Sequence, residues 1–245
     1  METVLEFLNL RIAPFAGIFF LFACDLNDGI PSPELGKYDL PQEVVSEIFT
    51  DEVLAITGSL EPFLDEIKSK GMTIHEGDNP PEIFDYCQSG PCPQIYSVDH
   101  SCLYDKYYPS YADSSFGGYL DSIFIARDQF DTYKSSLGYY SVANPNEKNP
   151  EYASGLDTGW GSGIASGDNG AFTLFIKIDN GKYDDVSYRA LWIVSAVGEF
   201  DDGELYGLTN IRKCMILLSK QGDPAGQMAN IGTIRIFEDD VPTRR

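Results

Sequence analysis

A chain of 245 residues, 43% of them hydrophobic, is long enough to bury the core of one large domain. Its 17 Lys and Arg stand against 38 Asp and Glu, a formal net charge of −21. Such a charge repels nucleic-acid phosphates and anionic headgroups, and the terminal Arg244–Arg245 pair is too short to offset it, so nucleic acid is excluded as a partner.

Ile12 to Cys24 is an apolar run, IAPFAGIFFLFAC, ahead of the turn-rich Asp25-Leu26-Asn27-Asp28-Gly29. It is too short to span a bilayer but suits the h-region of a secretory signal, and Pro14 and Gly17 argue against an ordinary core helix. Leu21-Phe22-Ala23-Cys24 resembles the lipobox of bacterial lipoproteins. The resemblance implies a signal peptide over 1–23, removed before Cys24, and acylation of the Cys24 thiol. It also implies a place in the cell envelope, lipid-anchored to the outer membrane. Residues 24–39 are rich in Gly, Pro, Asn, Asp and Ser and read as a tether.

Residues 40–71 read as helical. Val44, Val45, Ile48 and Phe49, then Val53, Ile56, Leu60, Phe63 and Ile67, recur at spacings of three and four. Gly58 and Pro62 predict a division into two or three short helices, and Gly71 suits the position after the last turn. The apolar stripe is expected to pack on the chain's own β domain, over 72–245.

Gly71-Met72-Thr73-Ile74 followed by Gly77-Asp78-Asn79-Pro80-Pro81-Glu82-Ile83 is similar to the domain start in lipoproteins of the Bacteroides type. The end of the chain resembles the last hairpin of the same group, through Lys220-Gln221-Gly222-Asp223-Pro224 and Ile231 to Phe237. These motifs are structural, and the resemblance implies no active site.

Residues 86–119 are dense in Cys, Pro, Tyr and Ser, with one short strand expected at Gln94 to Val98. From Gly118 onward the pattern is β: strands over 119–130 and 132–142, a Gly- and Ser-rich stretch over 152–165 with a flexible loop around Trp160 expected over 159–170, and an alternating strand over 171–179. Asn180-Gly181 predicts a hairpin turn. Strands over 187–200, 205–219 and 231–239 follow. Consecutive hairpins imply a mainly β fold, an antiparallel up-and-down, calycin-like barrel, with a jelly-roll or other sandwich as the alternative.

The chemistry-bearing residues are few. Cys87, Cys92 and Cys102 are disulfide candidates if the chain is exported, with Cys87 to Cys92 favoured across Gly90-Pro91. The spacing of these thiols around His100 matches no common zinc site, and His75-Glu76 lacks the second His of a zinc protease, so no metal ligand is assigned. No cofactor motif and no nucleophile–base pair emerges, and no catalytic residue is assigned. Cys214, within a strand, reads as a buried free thiol. Trp160, Trp192, Tyr107 and Tyr108 are the aromatic candidates for ligand contact. The expectation is a non-enzymatic binding or structural module, meeting a glycan, a small apolar ligand or a protein. The alternative is a glycan hydrolase using carboxylates that no motif singles out.

Overall fold

A long strand needs partners on both edges and cover on both faces, and β6 (Ala171–Tyr183) and β7 (Val186–Asp201) are buried on both faces along most of their length. The computed structural model describes residues 36–81, 94–99, 101–107, 109, 119–127, 134–143, 156–202, 204–239 and 243–244. Side chains are described for 36–81, 101–107, 109, 157–202 and 207–239. The expected signal, Cys24 and most of the expected tether lie outside these residues, and Gly36–Arg245 forms one compact unit.

Ten strands among the described residues form one antiparallel sheet. In chain order they are β1 (Gln94–Asp99), β2 (Ser101–Asp105), β3 (Tyr119–Arg127), β4 (Lys134–Ala143), β5 (Leu156–Asp168), then β6 and β7. β8 (Glu204–Gln221), β9 (Ile234–Glu238) and β10 (Thr243–Arg244) complete the sheet. The hydrogen-bonded order is β1-β3-β4-β5-β6-β7-β8-β9-β2, with β10 pairing β8 beyond the end of β9. From β3 to β9 every neighbour in space is a neighbour in sequence, the up-and-down order expected.

The two ends of this path, β1 and β2, are separated in sequence by His100 alone. Two peptide units span at most about 7–8 Å, so the sheet's ends are held together by the backbone. The sheet therefore rolls into a barrel-like form rather than dividing into two packed layers. Asp157 on β5 feels the charge of Arg235 on β9, although four inter-strand spacings, roughly 19 Å along the sheet, separate these strands. A rolled sheet brings them face to face.

Rolling gives the sheet an inside and an outside, each with its own apolar cluster. Phe172, Leu174, Ile176 and Ile178 of β6 join Trp192, Val194, Leu208 and Leu217 inside. Phe175, Leu191, Ile193, Cys214 and Ile236 point outward into a second cluster built with the helical segment. That segment comprises a π-helical turn (Val44–Ile48), α1 (Asp51–Thr57) and α2 (Leu60–Ser69). Gly58 ends α1 at φ 82°, and Pro62 is tolerated in the first turn of α2, where its missing N–H costs no helical bond. Val44, Ile48, Phe49, Val53, Phe63, Leu64 and Ile67 are buried against the sheet. Each contributes roughly 1.5–3 kcal/mol by leaving water. Phe49 meets Phe63 at 6.0 Å and Phe175 at 5.9 Å between ring centroids. Arg189 pairs with Glu52 of α1 and, at 3.2 Å, with Asp179.

The stretch after α2 is strapped across the same outer face. Arg212 donates to Gly71 O at 2.6 Å and Thr73 Oγ1 at 3.0 Å. His75 N donates to Thr173 Oγ1, and Ser166 Oγ donates to His75 O, both at 2.7 Å. A parallel bridge joins Asp78 to Gly167.

Two expectations are corrected. The Gly-rich stretch expected as a flexible loop over 159–170 belongs, as far as Asp168, to strand β5. Its inner positions Gly161, Gly163, Ala165 and Gly167 pair with Ile178, Ile176, Leu174 and Phe172. A Cβ at Gly161 would lie 2.1 Å from Lys177 O, and one at Gly163 2.3 Å from Phe175 O. The small residues let β5 bend tightly against β6, as barrel curvature requires. Nor does Asn180-Gly181 make the hairpin turn. Both lie inside β6 at a register shift, with the ring of Tyr188 where a Cβ of Gly181 would be. The turn falls at Asp184-Asp185, with Asp184 at φ 50°.

Candidate functional site

Residues directly paired across strands share a face of the sheet, so the register can be read as rungs around the inside. One rung runs Ala165, Leu174, Val194, Lys213, Phe237, Cys102 from β5 to β2. The next runs Gly163, Ile176, Trp192, Met215, Arg235, Asp105. On the β5 to β7 side the rungs are small or apolar. On the β8, β9 and β2 side they bring together Lys213, Arg235 and Asp105, with Phe237 and Cys102.

Most of this group is buried: Lys213 is 2% exposed, Asp105 1%, and Trp192 and Phe237 0%, while the Arg235 side chain stays 19% exposed. Arg235 Nε donates to Asp105 Oδ2 at 2.7 Å, an ion pair whose carboxylate has no exposed surface. Asp105 Oδ1 also accepts from Tyr107 N at 2.8 Å, which fixes the carboxylate for the guanidinium. Lys213 Nζ lies 4.6 Å from the ring centroid of Trp192 and 5.8 Å from that of Phe237. Arg235 lies 5.2 Å from the Phe237 ring. Two cations thus share an aromatic wall in the barrel interior.

Protonation equilibria reflect this placement. Burial pulls the Lys213 ammonium well below the ordinary lysine range, and the charge of Arg235 acts in the same direction. Asp157, which accepts from Tyr188 Oη at 2.6 Å, is pushed well above the usual carboxyl range by desolvation, against the pull of Arg235. The Tyr188 phenol is raised by burial. Burial raises the Cys102 thiol to about 11, leaving it protonated and a poor nucleophile.

One end of the apolar part is occupied by the loop after β8. Asp223 accepts from Lys220 Nζ at 2.7 Å, from Gln227 N at 2.6 Å and from Met228 N at 3.2 Å. This folds the loop back so that Met228 packs on the inner cluster.

The aromatic candidates separate. Trp192 is inside the barrel, under Lys213. Trp160 is 60% exposed, so the two indoles do not form one surface. Tyr107 serves through its backbone N–H on Asp105, while Tyr108, Cys87, Cys92 and His100 lie outside the described residues. Cys102, expected among the disulfide partners, is a buried free thiol on the inner face, paired in register with Phe237. Cys214 is also a buried free thiol, as expected, but belongs to the outer cluster, so the sheet stands between the two sulfurs. Lys213, Arg235, Asp105 and Asp157 were not singled out by sequence. The available signal was a cation on an apolar face: Lys213 alternates with Met215 and Leu217, and Arg235 with Phe237.

Comparison with protein-family models, curated proteins and solved structures finds no match.

A lysine held below its ordinary pKa binds fewer protons when folded than when unfolded. Wild-type stability should therefore rise with pH between the depressed folded value and the ordinary value of about 10.4. Lys213→Met should remove this slope, so that its melting temperature relative to the wild type falls as pH rises toward ~10. Thermal melts of both proteins across this range check it. A pH slope unchanged by the substitution contradicts the burial of a titrating amine.

Proposed function

We propose that this chain is a non-enzymatic binding module of the cell envelope that takes a small ligand with an apolar body into its barrel interior. The observation that carries the reading is the burial of Lys213 and of Asp105, the latter ion-paired with the half-buried Arg235, beside Trp192 and Phe237. Buried ionisable groups cost stability, and an up-and-down sheet folds without them. A mostly apolar interior with a few convergent polar groups is the usual composition of a small-ligand site. Phe172, Leu174, Ile176 and Val194 supply the apolar wall, and Arg235 and Lys213 the polar end.

A second reading has one observation in its favour. Asp105 and Asp157 are interior carboxyls in different environments, one ion-paired and one desolvated beside Tyr188. Carboxyls set apart in this way can divide acid and base roles in glycoside hydrolysis. Turnover in a glycan-substrate panel that is lost in Asp157→Asn, with the fold intact, would replace the binding reading.

The binding reading is tested with a sulfonated, environment-sensitive apolar fluorophore on the full chain. One site per chain is expected, weakened at least tenfold (about 1.4 kcal/mol) by Arg235→Met and unaffected by Trp160→Ala. Binding indifferent to Arg235→Met but abolished by Trp160→Ala would move the site outside the barrel.

The envelope location rests on the apolar run and on Leu21-Phe22-Ala23-Cys24. Metabolic labelling with a fatty-acid probe in a bacterial host should mark the wild type and not Cys24→Ala. Label retained by the variant contradicts the anchor.

A further inference from the structure

We propose that the outer wall of the barrel around Trp160 is a second binding site, which stacks one pyranose ring of a neutral glycan on the indole. It is separate from the interior site and takes a different ligand. Alternation along β5 puts Gly161 and Gly163 on the inside, so Trp160 and Ser162 belong to the outer face, where both are exposed. Across the β4–β5 pair, the residue opposite Trp160 is Gly138, which has no side chain to cover the indole. Among the described residues, no ring stacking, cation or hydrogen bond engages Trp160. On its other side the ladder is interrupted. Thr158 pairs with Lys182 and Gly161 with Ile178, so three residues of β6 face two of β5. Such a bulge bends the strand and re-aims the side chains beside it.

The neighbours of the indole on this face are polar. The register that pairs Gly161 with Ile178 sets Trp160 beside Asp179, one strand spacing or about 5 Å away. Ser162 is paired with Lys177 one step along. Arg189 of β7 holds Asp179 through Oδ1 alone, with Nε at 3.3 Å and Nη2 at 3.2 Å, and is itself held by Glu52 of α1. The carboxylate is thereby fixed, with Oδ2 left to accept from a ligand. A pyranose ring has an apolar C–H face and a rim of hydroxyls. The face matches the indole, and the rim matches a carboxylate that accepts and an ammonium and a hydroxyl that donate. A neutral sugar also escapes the net charge of −21, which opposes polyanions. A protein partner fits this surface less well, because an interface anchor is ringed by contacts that exclude water, and here Ser162 and Asp179 are open to it.

The test uses the full chain with nitrogen-labelled tryptophan, whose indole N–H resonances are assigned with Trp160→Phe. Cellotetraose, a neutral glycan whose all-equatorial rings present flat C–H faces, is titrated to millimolar concentration. The expected result is a saturable shift of the Trp160 resonance with that of Trp192 unmoved. Asp179→Ala should weaken binding roughly fivefold or more, as loss of a charged hydrogen bond does. Saturation transfer from protein to cellotetraose should disappear in Trp160→Ala. An unmoved Trp192 resonance shows that the barrel is intact in both variants. Cellotetraose that leaves the Trp160 resonance in place, or that moves Trp192 alone, overturns the outer site. Saturation transfer retained by Trp160→Ala does the same. A Trp160 resonance that moves with protein concentration, and not with the glycan, would mean that a second copy of the chain covers the indole, and overturns it as well.

Discussion

Everything distinctive in this molecule depends on one connection. Asp99 ends the strand at one edge of the sheet, Ser101 begins the strand at the other, and His100 alone lies between them. A sheet whose edges are tied within two peptide units cannot stay flat. It must curve, and the curvature requires small residues where strands crowd, which is why β5 carries Gly161 and Gly163 on its inner face. Once rolled, the alternation of each strand no longer separates core from solvent. It separates an interior from an outer surface that is itself covered.

The outer cover follows from that. Phe175, Leu191, Ile193, Ile216 and Ile236 would form a large exposed apolar patch on the barrel wall, and the amphipathic segment from Tyr38 to Ile74 buries them. Arg212 and the backbone of His75 fasten the end of that segment to the wall, so helices and sheet form one packing unit. With the outside occupied in this way, the polar residues of β8 and β9 have a different meaning. Arg212 alternates outward and binds the strap, whereas Lys213 and Arg235 alternate inward, where each charge has to be satisfied by the few groups available.

Much of the architecture was legible in the sequence. The spacing of Val53, Phe63 and Ile67 marked the helical stripe, and the run of hairpins from β6 to β8 implied an up-and-down order. What was not legible has physical causes. β5 was hidden because its inner side needs near-absent side chains, so it reads as a Gly-rich loop. Asn180-Gly181 mimics a turn because the lack of a side chain at Gly181, which would suit a turn, here serves a register shift beneath Tyr188. β2 was missed because it is short and continues β1 with a change of partner. The interior charges were hidden for the most general reason: in a strand taken as half exposed, an isolated Lys or Arg is assigned to water. Only the closure of the sheet shows that the face carrying Lys213, Met215 and Phe237 is enclosed.

The account's central claim is that closure places the Lys213 amine in a dry interior. The most direct measurement is its own titration, followed through the side-chain Cε resonance of labelled lysine, assigned by comparison with Lys213→Met. The account predicts that this one resonance titrates well below the ordinary lysine range. Titration of Lys213 within the ordinary lysine range would contradict it.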